Sequence, residues 1–243
     1  MNREKIRPTL MAARKGHTVI FGPPGVGKSF DARYLAIEYA KALGVGWHQF
    51  TVTRQTPAAS VIGHWLVSGG DMVWHKGIAQ TAIEKGDVLV INDIHLASDD
   101  LVDALHWLLD DGEGASQELG DGTILHTEKL QVIATMNGTP DDLDDPVKDR
   151  FTKKIRSIIP SEEAMMLLPE DVRKMCDELY KRANGMEPKV SYRTLKHFSE
   201  MRDTLKNELL AADAAIGDET LAHSVVEALK LNRTAGAAPA TGV

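Results

Sequence analysis

The sequence has only one cysteine, Cys176, so no disulfide can form within the chain. This residue lies in EDVRKMCDELYKRA, which has a helical pattern, and we expect it to be a small packing residue rather than a reactive thiol. A lone cysteine also suits a reducing compartment, so we expect a cytoplasmic protein.

Long apolar runs and an excess of positive charge are absent as well. No stretch approaches the roughly 20 apolar residues that a membrane-spanning helix needs, and the opening MNREKIRPTL is too polar for a secretory signal, so we expect no membrane partner. The 28 Lys and Arg residues face 35 Asp and Glu residues, which gives a net charge of -7. Because nucleic acid is bound by clustered Lys and Arg, it is a disfavoured partner, although RFTKKIR is a local basic segment.

Strand-like and helix-like segments alternate up to about residue 160. Apolar runs predict strands at 17–22, 47–53, 87–92 and 130–137, and helical patterns predict helices at 29–44, 78–86 and 98–111. Between the second strand and the next helix, GHWLVSGGDMVWHKG is Gly-rich and irregular, and two short runs around LGDGT predict a hairpin. This alternation predicts an α/β fold with a mainly parallel sheet covered by helices on both faces.

The pattern becomes helical throughout after Pro160. Three segments, SEEAMMLLPEDVRKMCDELYKRANG, SYRTLKHFSEMRDTLKNELLA and DETLAHSVVEALKL, predict a small all-helical second domain. The tail NRTAGAAPATGV consists mainly of small residues and predicts disorder. We therefore divide the chain into an α/β domain (1–159), a helical domain (160–231) and a disordered tail (232–243).

The strongest chemical signal is GPPGVGKS at residues 22–29, which fits the phosphate-binding pattern G-x-x-x-x-G-K-[ST] between a predicted strand and a predicted helix. In this motif the loop amides and the helix N-terminus surround phosphates, Lys28 reaches the β- and γ-phosphates, and Ser29 binds Mg²⁺. The predicted nucleotide-binding residues of the loop are Gly22, Pro23, Pro24, Gly25, Val26, Gly27, Lys28, Ser29 and Phe30.

The order and spacing of five segments resemble those of AAA+ ATPases. These segments are GPPGVGKS, GIAQTAIEKGDVLVINDIHLASDDLVDALHWLLDD, LQVIATMN, KDRF and VSYRTL, and the resemblance covers about residues 8 to 200. Within the AAA+ proteins the chain resembles the MoxR branch, which includes the rubisco-activase and gas-vesicle ATPases. The resemblance implies a P-loop three-layer α/β domain with a helical lid, ATP and Mg²⁺ as cofactors, and a ring of six. It also implies remodelling of a protein partner, often one with a von Willebrand A domain.

Besides Asp93, described below, the resemblance implies three catalytic residues outside the phosphate loop. Asn137 matches the sensor that positions the attacking water, although it could instead be a turn residue before Gly138. Arg150 matches the arginine finger that acts on the nucleotide of the neighbouring subunit, although it could instead form a surface salt bridge. Arg193 matches the lid sensor of the γ-phosphate, and without the resemblance it would be an ordinary helix-start arginine.

The segment VINDIHLAS departs from the family pattern, which carries Asp and Glu where this chain has Asn92 and Asp93. In this alignment Asn92 lies where Asp helps to hold the Mg²⁺ water shell. Asp93 lies where Glu polarises the attacking water, and it is also a candidate Mg²⁺ ligand. A shift of one residue would instead make Asp93 the magnesium-side acid and leave no base, because the next residue is Ile94. In both alignments we expect hydrolysis to be slower than in a standard member, because the arm of Asp93 is shorter in the first and no base remains in the second.

Two further segments match insertions that project toward the substrate or partner in the family. They are GHWLVSGGDMVWHKG and SQELGDGTILHTEKLQVIAT. Trp65, Trp74 and His75 would then contact a partner, whereas the alternative is that these aromatic side chains close a local core.

Three functions compete on these grounds. The first is an ATP-driven ring that remodels or activates a protein partner. The second is a nucleotide-gated assembly module that hydrolyses little or no ATP, and the Asn92 and Asp93 pair favours it. The third is a small-molecule P-loop kinase, in which the segments ATMN, DRF and SYR would have no role.

Overall fold

The computed structural model describes residues 16–184 and 188–236. The strands are β1 (Thr18–Gly22), β2 (Trp47–Thr51), β3 (Gly63–Ser68), β4 (Asp71–Lys76), β5 (Val88–Asn92), β6 (Ser116–Glu118), β7 (Ile124–His126), β8 (Gln131–Asn137) and β9 (Lys153–Arg156). The helices are α1 (Lys28–Leu43), α2 (Ala58–Ile62), α3 (Ile78–Lys85), α4 (Asp99–Leu108), α5 (Asp145–Arg150), α6 (Glu162–Met165), α7 (Glu170–Ala183), α8 (Tyr192–Leu205), α9 (Glu208–Ile216) and α10 (Glu219–Gly236).

The central sheet has five strands in the order β2, β5, β8, β1, β9, and every neighbouring pair is parallel. The predicted α/β fold with a helical region after it is therefore confirmed. One face of the sheet packs on α1, through a core that includes Val90 and Ile133. The opposite face packs on α4 and neighbouring segments, through a larger core that includes Ile91 and Leu105. Because helices cover both faces, all five residues of β5 are buried.

The edge strand β9 was not predicted from the sequence. Its residues, Lys153–Arg156, pair in parallel with β1, but they read as a basic segment because three of the four are charged. Charged residues are common on edge strands, where one side of the strand lacks a partner. Only Ile155 among them contributes to the core on the α1 face.

The segment that we expected to be irregular, residues 63–76, forms a regular antiparallel hairpin of β3 and β4. The strands pair residue by residue from Gly63 with Lys76 to Ser68 with Asp71. Gly69 and Gly70 connect them with φ angles of +63° and +95°, which glycine adopts without a Cβ clash. The expectation was wrong because the glycines mark a tight turn rather than an irregular segment.

Contacts divide the described chain into two compact units. One contains residues 16–22 and 28–156, and the other contains 23–27 and residues from 157 onward. The helical unit has five helices over its described residues, because Pro169 interrupts the first predicted segment and Lys206 interrupts the second. Lys206 adopts a positive φ of 51°, and the Asn207 side chain then caps α9 by accepting a hydrogen bond from the Leu210 amide.

Four helices of the helical unit meet at one charged cluster. The Asp171 carboxylate of α7 accepts hydrogen bonds from Arg202 of α8 at 2.7 Å and from Arg233 of α10 at 2.6 Å. Arg233 also donates to Glu208 of α9 at 2.5 Å. Helix α10 extends to Gly236, and the predicted domain boundaries, including a disordered tail from residue 232, stay predictions. Residues 237–243 lie outside the described residues.

Two further features concern the cysteine and the helix lengths. Cys176 is fully buried in α7, and burial raises the pKa of its thiol to about 12, as suits a packing residue.

Over the described residues, no helix is both long enough and apolar enough to cross a membrane.

Candidate nucleotide-binding site

Lys28 lies at the carboxyl edge of the sheet, at the start of α1. Its ammonium donates hydrogen bonds to the carbonyl oxygen of Gly22 at 3.0 Å and to Oδ1 of Asn137 at 2.8 Å. Gly22 and Asn137 end the neighbouring strands β1 and β8 in register, so the parallel pairing places both groups at the same height. The structure therefore brings together two predicted site residues that are 109 positions apart in the sequence.

The loop residues Pro23–Gly27 pack within the helical unit against the start of α8. The Arg193 amide donates a hydrogen bond to the Gly25 carbonyl oxygen at 3.1 Å. A Cβ on Gly25 would lie 2.7 Å from the Cβ of Ser191, and Gly25 has a φ of +73°, so only glycine fits. This backbone contact holds Arg193 next to the phosphate loop while its side chain stays exposed.

The other loop residues have less constrained surroundings. Val26 is fully buried and Pro24 is exposed, while Gly27 adopts a φ of +99° beside the Tyr192 ring. In the sheet unit, Ser29 is exposed. Phe30 is half-buried and stacks on Tyr34, with ring centroids 6.4 Å apart.

Asn92, Thr135 and Asn137 share the face of the sheet that packs on α1. Side chains alternate along a strand, and Val90 and Ile133, two residues before Asn92 and Thr135, both pack in the core beneath α1. The Thr135 hydroxyl lies 3.2 Å from Oδ1 of Asn92 and donates to it. Asn92 therefore takes the position at the end of β5 that faces the helix carrying Lys28.

Asp93 turns away from the strand direction immediately after β5. Its backbone has a φ of 55°, and its amide donates to the Thr135 hydroxyl at 3.2 Å. Asp tolerates this left-handed conformation better than most residues. Over the described residues, no hydrogen bond or ion pair engages the Asp93 carboxylate, so it remains available to a water molecule or a cation.

Two residues at this edge were missed by the sequence interpretation. Thr135 could have been found from strand periodicity, because it is two residues before Asn137 on the same face. His95 gave no such signal. Its Nδ1 accepts a hydrogen bond from the Asn137 amide at 3.4 Å, which places its proton on Nε2 in the neutral form. His95 also lines a cavity of about 370 Å³, together with Arg54, Leu96, Ala97, Ser98 and Asp99.

Arg150 ends α5 on the surface of the sheet unit. Its guanidinium donates to the Pro146 carbonyl oxygen at 2.9 Å, and over the described residues no carboxylate lies within 4.0 Å of it. The salt bridge that the sequence left open as an alternative is therefore not formed with any described residue. The next residue, Phe151, is almost fully buried and fixes the end of α5 in the core.

For the aromatic residues of the β3–β4 hairpin the sequence allowed two roles, contact with a partner or closure of a local core, and the structure shows features of both. Trp74 donates through Nε1 to Oε1 of Gln80 at 2.9 Å and packs edge-on against Trp65 at 5.5 Å. A Cβ on Gly120 would lie 3.1 Å from the Trp74 ring, so the hairpin of β6 and β7 closes a local core over it. His75 is exposed and stacks on His64, with ring centroids 6.2 Å apart. Trp65 is 43% exposed, so part of it remains open to a partner.

The comparison with protein families identifies the sheet unit. A family model described as AAA domain (dynein-related subfamily) matches residues 17–151. The chain belongs to this AAA domain family. AAA domains generally bind and hydrolyse ATP and commonly assemble as rings, so the AAA+ resemblance read from the sequence is confirmed at the level of the family.

Solved structures agree with the AAA fold. Two mutant forms of RuvB from Thermotoga maritima match this chain with TM-scores of 0.52 and 0.50, each at 17% sequence identity. The matches cover 87% and 85% of this chain and 68% and 63% of the RuvB chains. The chain thus spans about two thirds of the length of these RuvB chains, and at this identity the likeness concerns the fold alone.

Proposed function

We propose that this chain binds and slowly hydrolyses ATP as a ring-forming AAA protein that remodels or activates a protein partner. The pairing of Lys28 with Asn137 carries the proposal, because it joins the phosphate-loop cation to a polar side chain at a neighbouring strand end. In a nucleotide complex Lys28 turns from its carbonyl and amide partners to the phosphates, and Asn137 is then placed to orient a water molecule. A P-loop kinase would not need this arrangement.

The proposal assigns the remaining roles as follows. Gly22 to Phe30 surround the phosphates, Ser29 and Asp93 are the candidate metal-side oxygens, and Asp93 polarises the attacking water. Arg150 reaches the nucleotide of the neighbouring subunit, and its half-buried position at the end of α5 together with the lack of a described ion-pair partner supports this role. Arg193, in the helical unit, contacts the γ-phosphate as the lid sensor. Slow turnover follows from Asn92 and the short arm of Asp93.

Membership of the MoxR branch, a ring of six and a partner with a von Willebrand A domain belong to the same proposal. The hairpin of β3 and β4 supports a partner-binding role because it exposes apolar side chains on a thin two-stranded element. These are Trp65, Leu66, Val67, Met72 and Val73, with exposures between 42% and 73%. Exposed apolar side chains concentrated in this way mark an interaction surface. The expected cytoplasmic location rests on the sequence and stays a prediction.

A nucleotide-gated assembly module with little or no hydrolysis is the second candidate. The observation in its favour is that Oδ1 of Asn92 is occupied by Thr135, so the strand end lacks both the charge and the free oxygen that a hydrolytic site uses. Such a module would still need Lys28 and Arg193 to detect which nucleotide is bound.

Two measurements separate these functions. Multi-turnover phosphate release at saturating ATP, compared with Lys28→Ala, distinguishes slow hydrolysis from none. Light scattering with and without ATP tests assembly, which both ring candidates require. A protein that remains monomeric with ATP and phosphorylates a small molecule would contradict both.

A further inference from the structure

We propose that Asn92 presents amide N–H groups, and not an oxygen, to the bound nucleotide, so that nucleotide binding at this site depends little on Mg²⁺. The inference rests on the proposed nucleotide-binding function and concerns how the site compensates phosphate charge.

The orientation of the Asn92 amide follows from the hydrogen bonds of Thr135. The Thr135 hydroxyl accepts from the Asp93 amide at 3.2 Å, so its own proton is free to be donated. Oδ1 of Asn92 is the acceptor at 3.2 Å. With the amide reversed, Nδ2 would be a second donor to the same oxygen, and the hydroxyl proton would have no acceptor among the described residues. Thr135 is fully buried, so that proton would remain unsatisfied, which is costly.

This orientation leaves the two N–H groups of Asn92 as its available polar groups. Over the described residues, Nδ2 has no hydrogen-bond partner, and the side chain lies on the α1 face at the carboxyl edge of the sheet. N–H groups attract phosphate or water oxygens and oppose a cation. The side chain is only 2% exposed, so an amide donor directed into the site interacts more strongly there than in water.

The remaining oxygens make a poor set for Mg²⁺. This ion is usually held by one or two carboxylates together with phosphates and water. The strand-end carboxylate is absent, since Asn92 is neutral and its oxygen is already bonded to Thr135. The exposed Ser29 hydroxyl and the carboxylate of Asp93, which follows a left-handed turn, are the oxygens that remain. Phosphate charge is thus balanced chiefly by Lys28 and by amide donors, and the site can bind nucleotide without Mg²⁺.

The test is a fluorescence titration of the full chain with a fluorescent ATP analogue, in excess Mg²⁺ and in EDTA. For the wild type we expect the two dissociation constants to agree within about three-fold, which corresponds to well under 1.4 kcal/mol. Asn92→Asp places a carboxylate near the phosphates, so it should lose about ten-fold or more in EDTA and recover in Mg²⁺. Circular dichroism of each variant checks that it is folded.

Thr135 supplies the matched pair of variants. Thr135→Val removes the hydroxyl that holds Oδ1, so the Asn92 amide can turn its oxygen toward the metal and the effect of Mg²⁺ should exceed that in the wild type. Thr135→Ser keeps the hydroxyl and should behave as the wild type. If Thr135→Val does not fold, the comparison of Asn92→Asp with the wild type decides the matter.

The outcomes separate this inference from the proposed function. Wild-type binding that weakens ten-fold or more in EDTA overturns the inference and leaves nucleotide binding intact, and so does an Asn92→Asp variant that binds in EDTA as tightly as the wild type. Absence of binding in both media overturns the nucleotide-binding proposal and this inference with it.

Discussion

The ammonium of Lys28 lies 2.8 Å from Oδ1 of Asn137, so the start of α1 and the end of β8 are joined by a direct hydrogen bond. The parallel register of β1 and β8 sets this distance, because Gly22 and Asn137 are paired residues at the ends of the two strands. A ligand phosphate that displaces Asn137 from Lys28 would release the Asn137 side chain. The proposed function therefore predicts that phosphate binding changes the position of the Asn137 side chain.

The first prediction concerns Lys28. Lys28→Ala removes the cation of the phosphate loop, so ATP affinity should fall by about ten-fold or more and ATP-dependent assembly should be lost. Isothermal titration calorimetry measures the affinity, and Lys41→Ala, at the exposed end of α1, is the control. Equal affinity in the Lys28 variant and the control would rule out the site.

The second prediction concerns Arg150. If it acts on the nucleotide of a neighbouring subunit, Arg150→Ala should bind ATP almost normally and lose most of its phosphate release. Mixing it with Lys28→Ala should restore some turnover, because an intact nucleotide site can then meet an intact Arg150. Arg182→Ala, an exposed arginine at the end of α7, is the control. Full turnover by Arg150→Ala would exclude the ring mechanism.

The third prediction concerns His17, just before β1. Burial lowers the pKa of His17 to about 4 and outweighs the opposing charge of Asp111, so the folded protein keeps the ring neutral. The unfolded chain takes up this proton below about pH 6.5, so the stability contributed by neutral His17 is complete above that pH and is lost as the pH falls toward 4. Between pH 7 and pH 5 the loss should be about 2 kcal/mol.

The control for this prediction is His17→Asn, which retains an acceptor for the Val132 amide that now donates to Nδ1 at 3.1 Å. Denaturant unfolding at pH 7 and pH 5 measures the effect. His17→Asn should show a smaller loss of unfolding free energy between these two values than the wild type. An equal loss in both proteins would show that His17 is not responsible.

The fourth prediction concerns Asp171 in the helical unit. Burial would raise the pKa of Asp171, but hydrogen bonds from Arg202 and Arg233 lower it, so its stabilising effect is present at neutral pH and is lost as the pH falls through the lowered value. Asp171→Asn should destabilise the helical unit by about 1 to 3 kcal/mol. The loss of stability is measured as faster amide hydrogen exchange in α7 and α10, and Asp177→Asn is the control. Unchanged protection in α10 would show that the cluster does not anchor it.

The sequence was sufficient for the main architecture because the informative segments have strong local periodicity. The run VLVIN is almost wholly apolar and QVIATMN contains the apolar core VIA, so both predict buried parallel strands. By contrast, β9 was missed because its Lys and Arg residues suit an edge strand but carry no apolar pattern. The hairpin of β3 and β4 was missed because Gly69 and Gly70 were taken as signs of irregularity.

Site residues that belong to a sequence motif could be predicted. Contacts that depend on how two strands pair could not. GPPGVGKS identifies Lys28 without a structure. The hydrogen bond from Thr135 to Asn92 depends on the register of β5 and β8, which no local pattern reveals. The contacts of Arg233 near the end of α10 could likewise not be predicted, because its partners lie 25 and 62 residues away in the sequence.

The central claim is that Asn92 and Asp93 form a weakened hydrolytic pair, and the most direct test is steady-state phosphate release at saturating ATP and Mg²⁺. Asn92→Asp combined with Asp93→Glu restores the charge and the longer arm, so turnover should rise by about ten-fold or more. Asp93→Asn should be slower than the wild type. A double variant that is no faster, together with an Asp93→Asn variant that is no slower, would contradict the account and favour the assembly module.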